Sequence, residues 1–338
     1  MGELKLIELL IETIGRRGHG RSVATGHRLK VAVGDDAAAW EAPGGIEILL
    51  NDVMVEAVHF DLETTGWRDL GWKCVAVNLS DVAAMGCVPG YAVVGLGLRG
   101  DLPVSGIIEM YEGMLDVSGE YGCSLVGGDV VQSPTFFVSV AMTGDAQVKE
   151  TGGPVSQPVL TRDAARVGDL LAVTGHVGCS GGGLRMLREG LGFDEETTSH
   201  LRLAHIRPVP RLSEGVALAR QGESAVIDVS DGLMDDLGKL CKASGVGAVV
   251  RSDRLPADGF LRRAYPNEWL SLALGGGEDY ELLFAARAEI VEAVRPLIDT
   301  PVSVIGEIVP ADSGVSVVDE RGRSVKVQSG GWDHFRTD

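Results

Sequence analysis

Residues 74–88 read CVAVNLSDVAAMGCV, an apolar stretch in which Asp81 is the single charged residue. The pattern predicts a helix over residues 69–85 with Asp69 as its N-cap. Asn78 precedes Asp81 by three positions and therefore shares its helix face. Because an ionised carboxylate is costly to bury alone, Asp81 should either bind a metal ion or pair with a distant basic side chain. Aspartate is a hard oxygen ligand, so we favour metal binding.

Acidic residues recur beside glycine or asparagine where predicted strands end. These places are residues 34–36, 51–52, 128–129, 228–232 and 277–279. Any one of them alone would be interpreted as an Asp-Gly turn or a helix N-cap. Ligand sites of α/β sheets lie at strand ends, where loops converge, so five such places in one chain favour a shared site.

Convergence of these acidic residues would require cations. The candidates are Asp36, Asp52, Asp81, Asp129 and Asp228. Two carboxylates ~5 Å apart repel by roughly 3 kcal/mol at an effective dielectric of about 20. Ligands that are all oxygen predict Mg²⁺ or Mn²⁺, which bridges phosphates. Bound Mg²⁺ also explains how a chain with a net charge of −18 could bind an anion. The pattern therefore predicts phosphoryl transfer from a nucleotide.

Composition restricts the class of protein. The 338 residues, 45% of them hydrophobic, are sufficient for two globular domains, and the negative charge argues against nucleic-acid binding. The longest uncharged run, residues 82–98, contains four glycines and a proline and is not expected to span a membrane. Glutamates in the N-terminal apolar stretch argue against a secretory signal. Five scattered cysteines without a C-x-x-C are expected to be buried thiols in a reducing cytoplasm.

Around residues 150–157 the composition changes to Gly, Pro, Thr and Ser, which predicts a domain boundary between residues 1–149 and 150–338. Strands and helices alternate irregularly in both halves, which indicates two α/β or α+β domains. The glycine-rich residues 175–183 lack the lysine of a P-loop. We interpret them as a tight strand-to-helix connection, with contact between backbone N–H groups and phosphate as the alternative.

Eight segments together resemble the thiamine-monophosphate kinase family. They are GDDAA (34–38), NDVMVEAVHF (51–60), WKCVAVNLSDVAAMGCVP (72–89), LVGGD (125–129), LTRDAARVGD (160–169), IDVSDGLMDDL (227–237), GGGEDYELLF (275–284) and GGWDHF (330–335). They follow the order of the family and span nearly the whole chain. That family belongs to the PurM-like superfamily of ATP-dependent enzymes related to aminoimidazole ribonucleotide synthetase.

The resemblance implies direct transfer of the γ-phosphoryl group of ATP to thiamine monophosphate, assisted by several Mg²⁺ ions and without a general base. It implies an N-terminal α/β domain, residues 1–149, that binds ATP and Mg²⁺ and pairs its sheet with that of a second copy to form a barrel. A C-terminal α+β domain, residues 150–338, would cover each site. The implied partners are ATP, thiamine monophosphate and a second copy of the chain, with neither nucleic acid nor membrane.

The resemblance also assigns site residues. Those implied to bind metal are Asp36, Asn51, Asp52, Asp81, Asp129, Asp228 and Asp231. Those implied to bind ATP are Tyr111, Gly128, Asp129, Arg162 and Ser230. Those implied to bind thiamine monophosphate are His59, Glu278 and Trp332. Without the resemblance, the last three would be interpreted as a strand-end histidine, a turn carboxylate and a core aromatic.

Two departures from the family affect the expected number and affinity of metal sites. Leu50 and Asn51 stand where the family has hydroxyl residues, and Val130 stands where it has threonine. Two alternatives therefore remain open. One is another PurM-like enzyme such as aminoimidazole ribonucleotide synthetase, against which His59 and the ending GGWDHF argue. The other is a homologue that senses nucleotide or metal without turnover, which the change at Leu50 and Asn51 would suit.

Overall fold

The computed structural model describes residues 28–31, 35–36, 38–42, 45–146 and 159–326. The predicted domain boundary and Trp332 lie outside these residues. The described chain forms two units, each with a six-stranded sheet and helices packed on it. We call them the N-terminal unit and the C-terminal unit.

The sheet of the N-terminal unit has the strand order β1-β2-β3-β6-β4-β5. Its strands are β1 (Arg28–Val31), β2 (Ala38–Ala42), β3 (Gly45–Val55), β4 (Cys87–Leu98), β5 (Ser124–Gln132) and β6 (Phe137–Ala146). Only β4 and β5 pair in parallel. The unit also contains helices α1 (Trp67–Ala84) and α2 (Val104–Tyr121). Helix α1 packs on β3, β6 and β4, and α2 packs on α1.

Helix α1 is apolar on all sides, and every residue from Leu70 to Ser80 is buried. Gly71 lets α2 approach closely, because a Cβ there would lie 1.8 Å from the carbonyl oxygen of Met110. The helix begins after Gly66, so the predicted N-cap at Asp69 is wrong. Asp69 lies in the first turn instead, where Arg207 of the C-terminal unit donates to it at 2.6 Å.

The sheet of the C-terminal unit has the order β12-β9-β11-β7-β10-β8, and only β9 and β12 pair in parallel. Its strands are β7 (Leu170–Thr174), β8 (Ala225–Asp228), β9 (Val246–Arg251), β10 (Leu282–Ala286), β11 (Val302–Pro310) and β12 (Val315–Val318). Its helices are α3 (Cys179–Glu189), α4 (Glu195–Ile206), α5 (Leu212–Gln221), α6 (Leu233–Ser244), α7 (Gly259–Ala264), α8 (Trp269–Gly275) and α9 (Ala288–Val294). The mainly antiparallel sheet with helices on both faces makes this unit α+β, as predicted.

One apolar cluster joins the two units. Phe284 and other residues on one face of the C-terminal sheet pack with α5 and α9, and the same cluster includes Ala83 and Ala84 at the end of α1. A second cluster fills the opposite face of the sheet beneath α6. The shared cluster fixes the C-terminal end of α1 against β8, and Asp81 and Asp228 lie at this junction.

All five cysteines are free and buried, as the sequence predicts. They lie on both units, at Cys74, Cys87, Cys123, Cys179 and Cys241. Among the helices described, none combines the length and the apolar character that crossing a membrane requires.

Candidate functional site

Carboxylates from both units meet where α1 reaches the C-terminal sheet. Oxygen atoms of Asp36, Asp81 and Asp228 all lie within 4.8 Å of one another. Asp36 precedes β2, Asp81 is in the penultimate turn of α1, and Asp228 ends β8. Asp52 of β3 joins them, because its side chain is hydrogen-bonded to that of Asp81. We call these four residues the acidic cluster.

Burial makes the acidic cluster hold protons. The pKa of Asp52 and of Asp228 is raised to about 6, mainly by desolvation and in smaller part by nearby carboxylates. For Asp81, desolvation and then the charges of Asp52 and Asp228 raise the pKa well above its ordinary value. Ser80 donates a hydrogen bond to Asp228 at 2.8 Å, which favours the ionised form of that residue.

Among the described residues, a basic side chain forms a salt bridge with only one member of the acidic cluster, Asp36. Arg162 pairs with Asp36 through two nitrogens, with Nε 2.9 Å from Oδ2. Within the described part of the chain, Asp52, Asp81 and Asp228 form no salt bridge. The structure thus excludes the alternative of a buried salt bridge for Asp81 with any described residue.

The donors of the acidic cluster suit Mg²⁺. All are carboxylate oxygens, which is the ligand type that this ion prefers. Asn78, one helical turn before Asp81, is completely buried, and its Oδ1 has no hydrogen-bond partner among the described residues. Its amide nitrogen donates to the carbonyl oxygen of Cys74 at 3.0 Å. Burial and mutual repulsion raise the pKa values of these carboxylates, and an unpartnered amide oxygen lies beside them. A divalent cation would stabilise such a site.

Asn51 does not reach the acidic cluster with its side chain. Successive side chains of a strand point to opposite faces, so Asn51 lies on the face of the sheet away from α1 and from Asp52. We call this face, opposite α1, the outer face. There the Asn51 amide donates to Ser139 Oγ at 2.9 Å. The adjacent Leu50 is in the apolar core of the N-terminal unit. The departure at Leu50 and Asn51 therefore leaves the carboxylates of the acidic cluster unaltered.

Asp129 also lies away from the acidic cluster within one chain. Asp129 of β5 is directly opposite Gly95 of β4, Gly95 is opposite Ser139 of β6, and Ser139 is opposite Val53 of β3. Residues directly opposite each other share a face of the sheet, so Asp129 lies on the outer face with Val53. Three strand spacings of about 4.8 Å separate β5 from β3, so roughly 14 Å lie between Asp129 and that strand. Gly128, in the row next to Asp129, is on the same edge strand.

Two further residues predicted to bind ATP occupy different surroundings. Tyr111 lies on α2 and packs against the core of the N-terminal unit, and burial raises the pKa of its hydroxyl. Ser230 lies in the loop that follows Asp228, next to the acidic cluster. Asp231, predicted to bind metal, is in the same loop and pairs with Lys239. Its charge also contributes to the raised pKa of Asp52, so Asp231 lies close to the acidic cluster.

Asp236 fixes the loop of Ser230 and Asp231, although the sequence interpretation assigned it no role. Its Oδ2 accepts the backbone N–H groups of Ser230, Asp231 and Gly232 at 3.0, 3.0 and 3.1 Å. Its Oδ1 accepts from Lys239 at 2.7 Å. Desolvation raises the pKa of this completely buried carboxyl to about 7. The last aspartate of IDVSDGLMDDL, Asp236, thus supports the loop.

Glu278 is held by a lysine that the sequence interpretation missed. Lys73 of α1 is 1% exposed, and its Nζ lies 2.9 Å from Glu278 Oε1. His205 Nδ1 lies 3.3 Å from the other carboxylate oxygen. Desolvation lowers the pKa of His205 to about 3, so this ring is neutral. Burial would raise the pKa of Glu278, but the charge of Lys73 and the hydrogen bond from its ammonium group hold it below its ordinary value.

The segment containing Glu278 is fixed at two further acidic residues. Asp279 accepts the backbone N–H groups of Gly178 and Ser180 at 2.6 and 3.0 Å. Glu281 pairs with Arg211 through two hydrogen bonds of 2.7 and 2.6 Å. Glu278 has a φ of 63°, a left-handed conformation that is strained for glutamate. These contacts hold the strained backbone, a feature that is common at functional sites.

The glycine-rich residues 175–183 serve packing, as predicted. A Cβ at Gly183 would lie 2.0 Å from the carbonyl oxygen of Leu201, so the glycine permits α3 to contact α4. The first N–H groups of α3 are occupied by the carboxylate of Asp279. The alternative contact with phosphate is therefore blocked at these groups while Asp279 keeps this position.

Comparison with known proteins gives the class of protein first. The family model "AIR synthase related protein, N-terminal domain" matches residues 34–146, and "AIR synthase related protein, C-terminal domain" matches residues 166–319. The chain has the two-domain PurM-like fold of these proteins, as predicted.

Thiamine-monophosphate kinase from Salmonella typhimurium is 35% identical over 99% of this chain and 99% of its own length. The corresponding protein from Bacillus subtilis is 33% identical over 90% of this chain and 94% of its own length. The chain belongs to the thiamine-monophosphate kinase family.

Solved structures agree with this assignment. AaThiL complexed with AMPPCP and TMP superposes with a TM-score of 0.83 at 32% identity, over 99% of this chain and 97% of that chain. Thiamine-monophosphate kinase from Stenotrophomonas maltophilia K279a gives 0.73 at 33% identity, over 94% and 96% of the two chains. The hydrogenase maturation protein HypE in complex with ATP shares the fold, with a TM-score of 0.66 at 20% identity.

Proposed function

We propose that this chain transfers the γ-phosphoryl group of ATP to thiamine monophosphate and produces thiamine diphosphate. The observation that carries the proposal is the acidic cluster, which joins residues of both units beside Arg162 in a member of the thiamine-monophosphate kinase family. Its carboxylates suit an ion that brings two polyanions together. The ATP analogue and TMP in AaThiL support the same pair of substrates.

We propose Mg²⁺ as the ion and the acidic cluster as its ligands, with Asp231 and Asn78 close enough to contribute. Bound Mg²⁺ would screen the repulsion between the two phosphate groups and stabilise the charge of the transferring group. Asn51 and Asp129 are not included in this ligand set, because their side chains lie on the outer face.

The residues of the chain then have distinct tasks. The acceptor phosphate is already ionised at neutral pH, so the reaction needs no general base. Arg162 presents a planar pair of donors, which it now uses on Asp36 and which has the geometry that binds phosphate oxygens. The loop of Ser230, which Asp236 holds, is positioned for contact with the nucleotide.

We place the thiamine side of the substrate near Glu278. This carboxylate is ionised, 23% exposed, and held by Lys73, and it can attract the cationic thiazolium ring. His59 lies near the same carboxylate, and the backbone N–H of Val55, which donates to its Nδ1 at 3.0 Å, fixes the orientation of the ring. Trp332 remains a sequence prediction for stacking on the thiamine rings.

An ADP-release assay with thiamine monophosphate, thiamine and an aminoimidazole precursor as acceptors, each with and without Mg²⁺, tests the proposal. We expect ADP only with thiamine monophosphate and Mg²⁺. Turnover of the aminoimidazole precursor would instead assign the other enzyme class of the superfamily. Nucleotide binding without release of ADP for any acceptor would favour a sensor.

Removal of divalent cations should make stability depend on pH. Carboxyls whose folded pKa is raised stabilise the fold while protonated, so this contribution is lost as pH rises from the ordinary value of 3.8 through about 6. We expect the Tm in EDTA to fall between pH 5 and pH 7.5, and Mg²⁺ to raise the Tm more at pH 7.5 than at pH 5. Thermal unfolding of the wild type and of Asp228→Asn measures both effects. An equal Mg²⁺ shift at the two pH values in the wild type would contradict this assignment.

We also propose that the chain forms a homodimer through the outer face. Large apolar side chains are exposed there, with exposed fractions from 43% for Val93 to 65% for Tyr91. The others on this face are Leu49 and Val53. Edge strand β5 additionally exposes Val126, Val130 and Val131. A sheet face with this many exposed apolar side chains is typical of a protein–protein interface. A second sheet packed on it would cover both the apolar face and the edge strand β5.

Sedimentation velocity tests the dimer. The wild type should sediment as a species of twice 35.6 kDa. Val93→Glu should shift it to monomer, because the charge would be buried in the interface. The matched control is Leu297→Glu, at an exposed leucine of the C-terminal unit, which should remain dimeric. A monomeric wild type at micromolar concentration would refute the proposal.

We propose the cytoplasm as the location of this protein. Five free and buried thiols suit a reducing compartment, where disulfides do not form. ATP, the proposed phosphoryl donor, is available there.

A further inference from the structure

A second group of metal-ligating side chains lies entirely within the C-terminal unit. Cys179 Sγ, a nitrogen of His200 and a carboxylate oxygen of Asp258 all lie within 4.8 Å of one another. Cys179 opens α3, His200 lies in α4, and Asp258 precedes α7 as its N-cap. Three helices that are separate in sequence thus direct a sulfur, a nitrogen and an oxygen to one point.

Neighbouring contacts fix the orientation of two of these groups. Asp258 Oδ1 accepts the backbone N–H of Leu261 at 2.7 Å, which directs the other oxygen, Oδ2, to His200 Nε2 at 2.5 Å. The ring of His200 stacks on Phe260, with centroids 4.3 Å apart and an interplanar angle of 23°. Cys179 is 5% exposed. The side chains of His200 and Asp258 are therefore oriented before any ion binds, which reduces the entropic cost of binding one.

His200 connects this group to solvent, because it lines an open groove of about 550 Å³. Phe260 and Glu196 line the same groove, and Glu196 precedes His200 by one helical turn on α4. A water molecule from the groove could occupy the fourth position around a tetrahedral ion.

We propose that Cys179, His200 and Asp258 bind one Zn²⁺ ion, with water as the fourth ligand. Tetrahedral coordination by sulfur, nitrogen and oxygen is typical of zinc, whereas Mg²⁺ prefers oxygen alone. Among the described residues, the two groups that could hold a metal therefore differ in selectivity: the acidic cluster suits a hard ion, and this site suits a softer one. Binding displaces the thiol proton of Cys179, replaces the hydrogen bond between His200 Nε2 and Asp258 Oδ2, and joins the starts of α3 and α7 to α4.

Zinc binding in excess Mg²⁺ tests the proposal, because Mg²⁺ saturates the acidic cluster but competes poorly for thiolate and imidazole. Equilibrium dialysis with elemental analysis should give one Zn²⁺ per chain for the wild type. Cys179→Ala and His200→Ala should each weaken Zn²⁺ binding by more than about a hundredfold. Residues that only support a metal ligand typically cost about 10–100-fold when they are replaced, and loss of a ligand itself should cost more. Cys241→Ala, at another buried cysteine, is the matched control and should bind as the wild type does.

Substitution of Co²⁺ for Zn²⁺ provides an independent measurement. The wild type should show a thiolate-to-cobalt charge-transfer band, which Cys179→Ala should lack and Cys241→Ala should keep. Zinc displaced by Mg²⁺, absent from the wild type, or retained in both ligand variants would overturn the proposal. Because His200 lies on the exposed side of α4, His200→Ala is expected to fold. ADP release by this variant should be unchanged, so failure of the zinc site leaves the proposed kinase function intact.

Discussion

Replacing Asp81 with asparagine should abolish turnover while leaving the fold intact. The change is nearly isosteric and removes the carboxylate that lies between Asp52 and Asp228. An asparagine amide retains one oxygen, but it has no charge with which to bind a divalent cation. Loss of one group that stabilises charge in the transition state costs about 10²–10³ in kcat, and loss of a shared metal ligand should cost at least as much.

The same variant should become more stable when Mg²⁺ is absent. Burial and neighbouring charges disfavour an ionised Asp81, so at pH 7.5 the folded wild type must either keep this carboxyl protonated or bury its charge, and a neutral amide removes that cost. We therefore expect a higher Tm than the wild type in EDTA and a smaller increase on addition of Mg²⁺. A general loss of folding would lower both the activity and the Tm, which distinguishes it from loss of a ligand.

Steady-state ADP release and thermal unfolding measure these two effects. Asp312→Asn, at an exposed acidic residue of the C-terminal unit, is the control and should change neither. Near-normal kcat of Asp81→Asn at saturating Mg²⁺ would show that Asp81 is not a metal ligand.

Most elements of the fold could be predicted from the sequence, because local pattern determines them. The amphipathic pattern of residues 104–121 indicates helix α2, and the apolar run of residues 315–318 indicates strand β12, with the bounds that both have in the structure. Helix α1 was predicted within two residues at each end. Its N-cap was predicted incorrectly because Asp69 has a partner 138 residues away, Arg207, which no local pattern reveals.

The acidic cluster could be predicted in part. Asp36, Asp52, Asp81 and Asp228 come together as the convergence of strand ends suggested. The positions of Asn51 and Asp129 depend on strand register, which a motif does not specify.

Lys73 should have been identified by the reasoning that identified Asp81. It is also a charged residue in an apolar part of the same helix, and its carboxylate partner, Glu278, is even more remote in sequence than Arg207 is from Asp69. The supporting roles of Asp236 and Asp279 could not have been identified in this way. Both accept hydrogen bonds from backbone N–H groups. Nearly every residue has such a group, so the sequence does not indicate which one a carboxylate will contact.

Replacing Lys73 with methionine should destabilise the protein strongly. Lys73 Nζ is the nearest cation to Glu278, and its removal leaves an ionised carboxylate that is only 23% exposed. Removing one partner of a buried ion pair costs about 3–5 kcal/mol, and the partial exposure of Glu278 favours the lower end. Glu278→Gln should also destabilise, because it leaves the buried ammonium group of Lys73 without its partner.

The double variant Lys73→Met/Glu278→Gln separates stability from function. With both charges removed, no uncompensated ion remains, and the free energy of unfolding in urea should recover most of the loss. Activity should not recover, because Glu278 would no longer attract the thiazolium ring. We expect the KM for thiamine monophosphate to remain raised and the KM for ATP to change little.

An exposed pair provides the control for this double-mutant cycle. Arg68 and Asp116 form a two-hydrogen-bond pair of 2.7 and 2.9 Å with side chains 46% and 37% exposed. Because solvent screens exposed charges, Arg68→Met should cost less than about 1 kcal/mol. A cost for Lys73→Met as small as this would mean that water already solvates Glu278. Glu278 would then not be held by Lys73, and the thiamine-binding role proposed for this carboxylate would lose its structural basis.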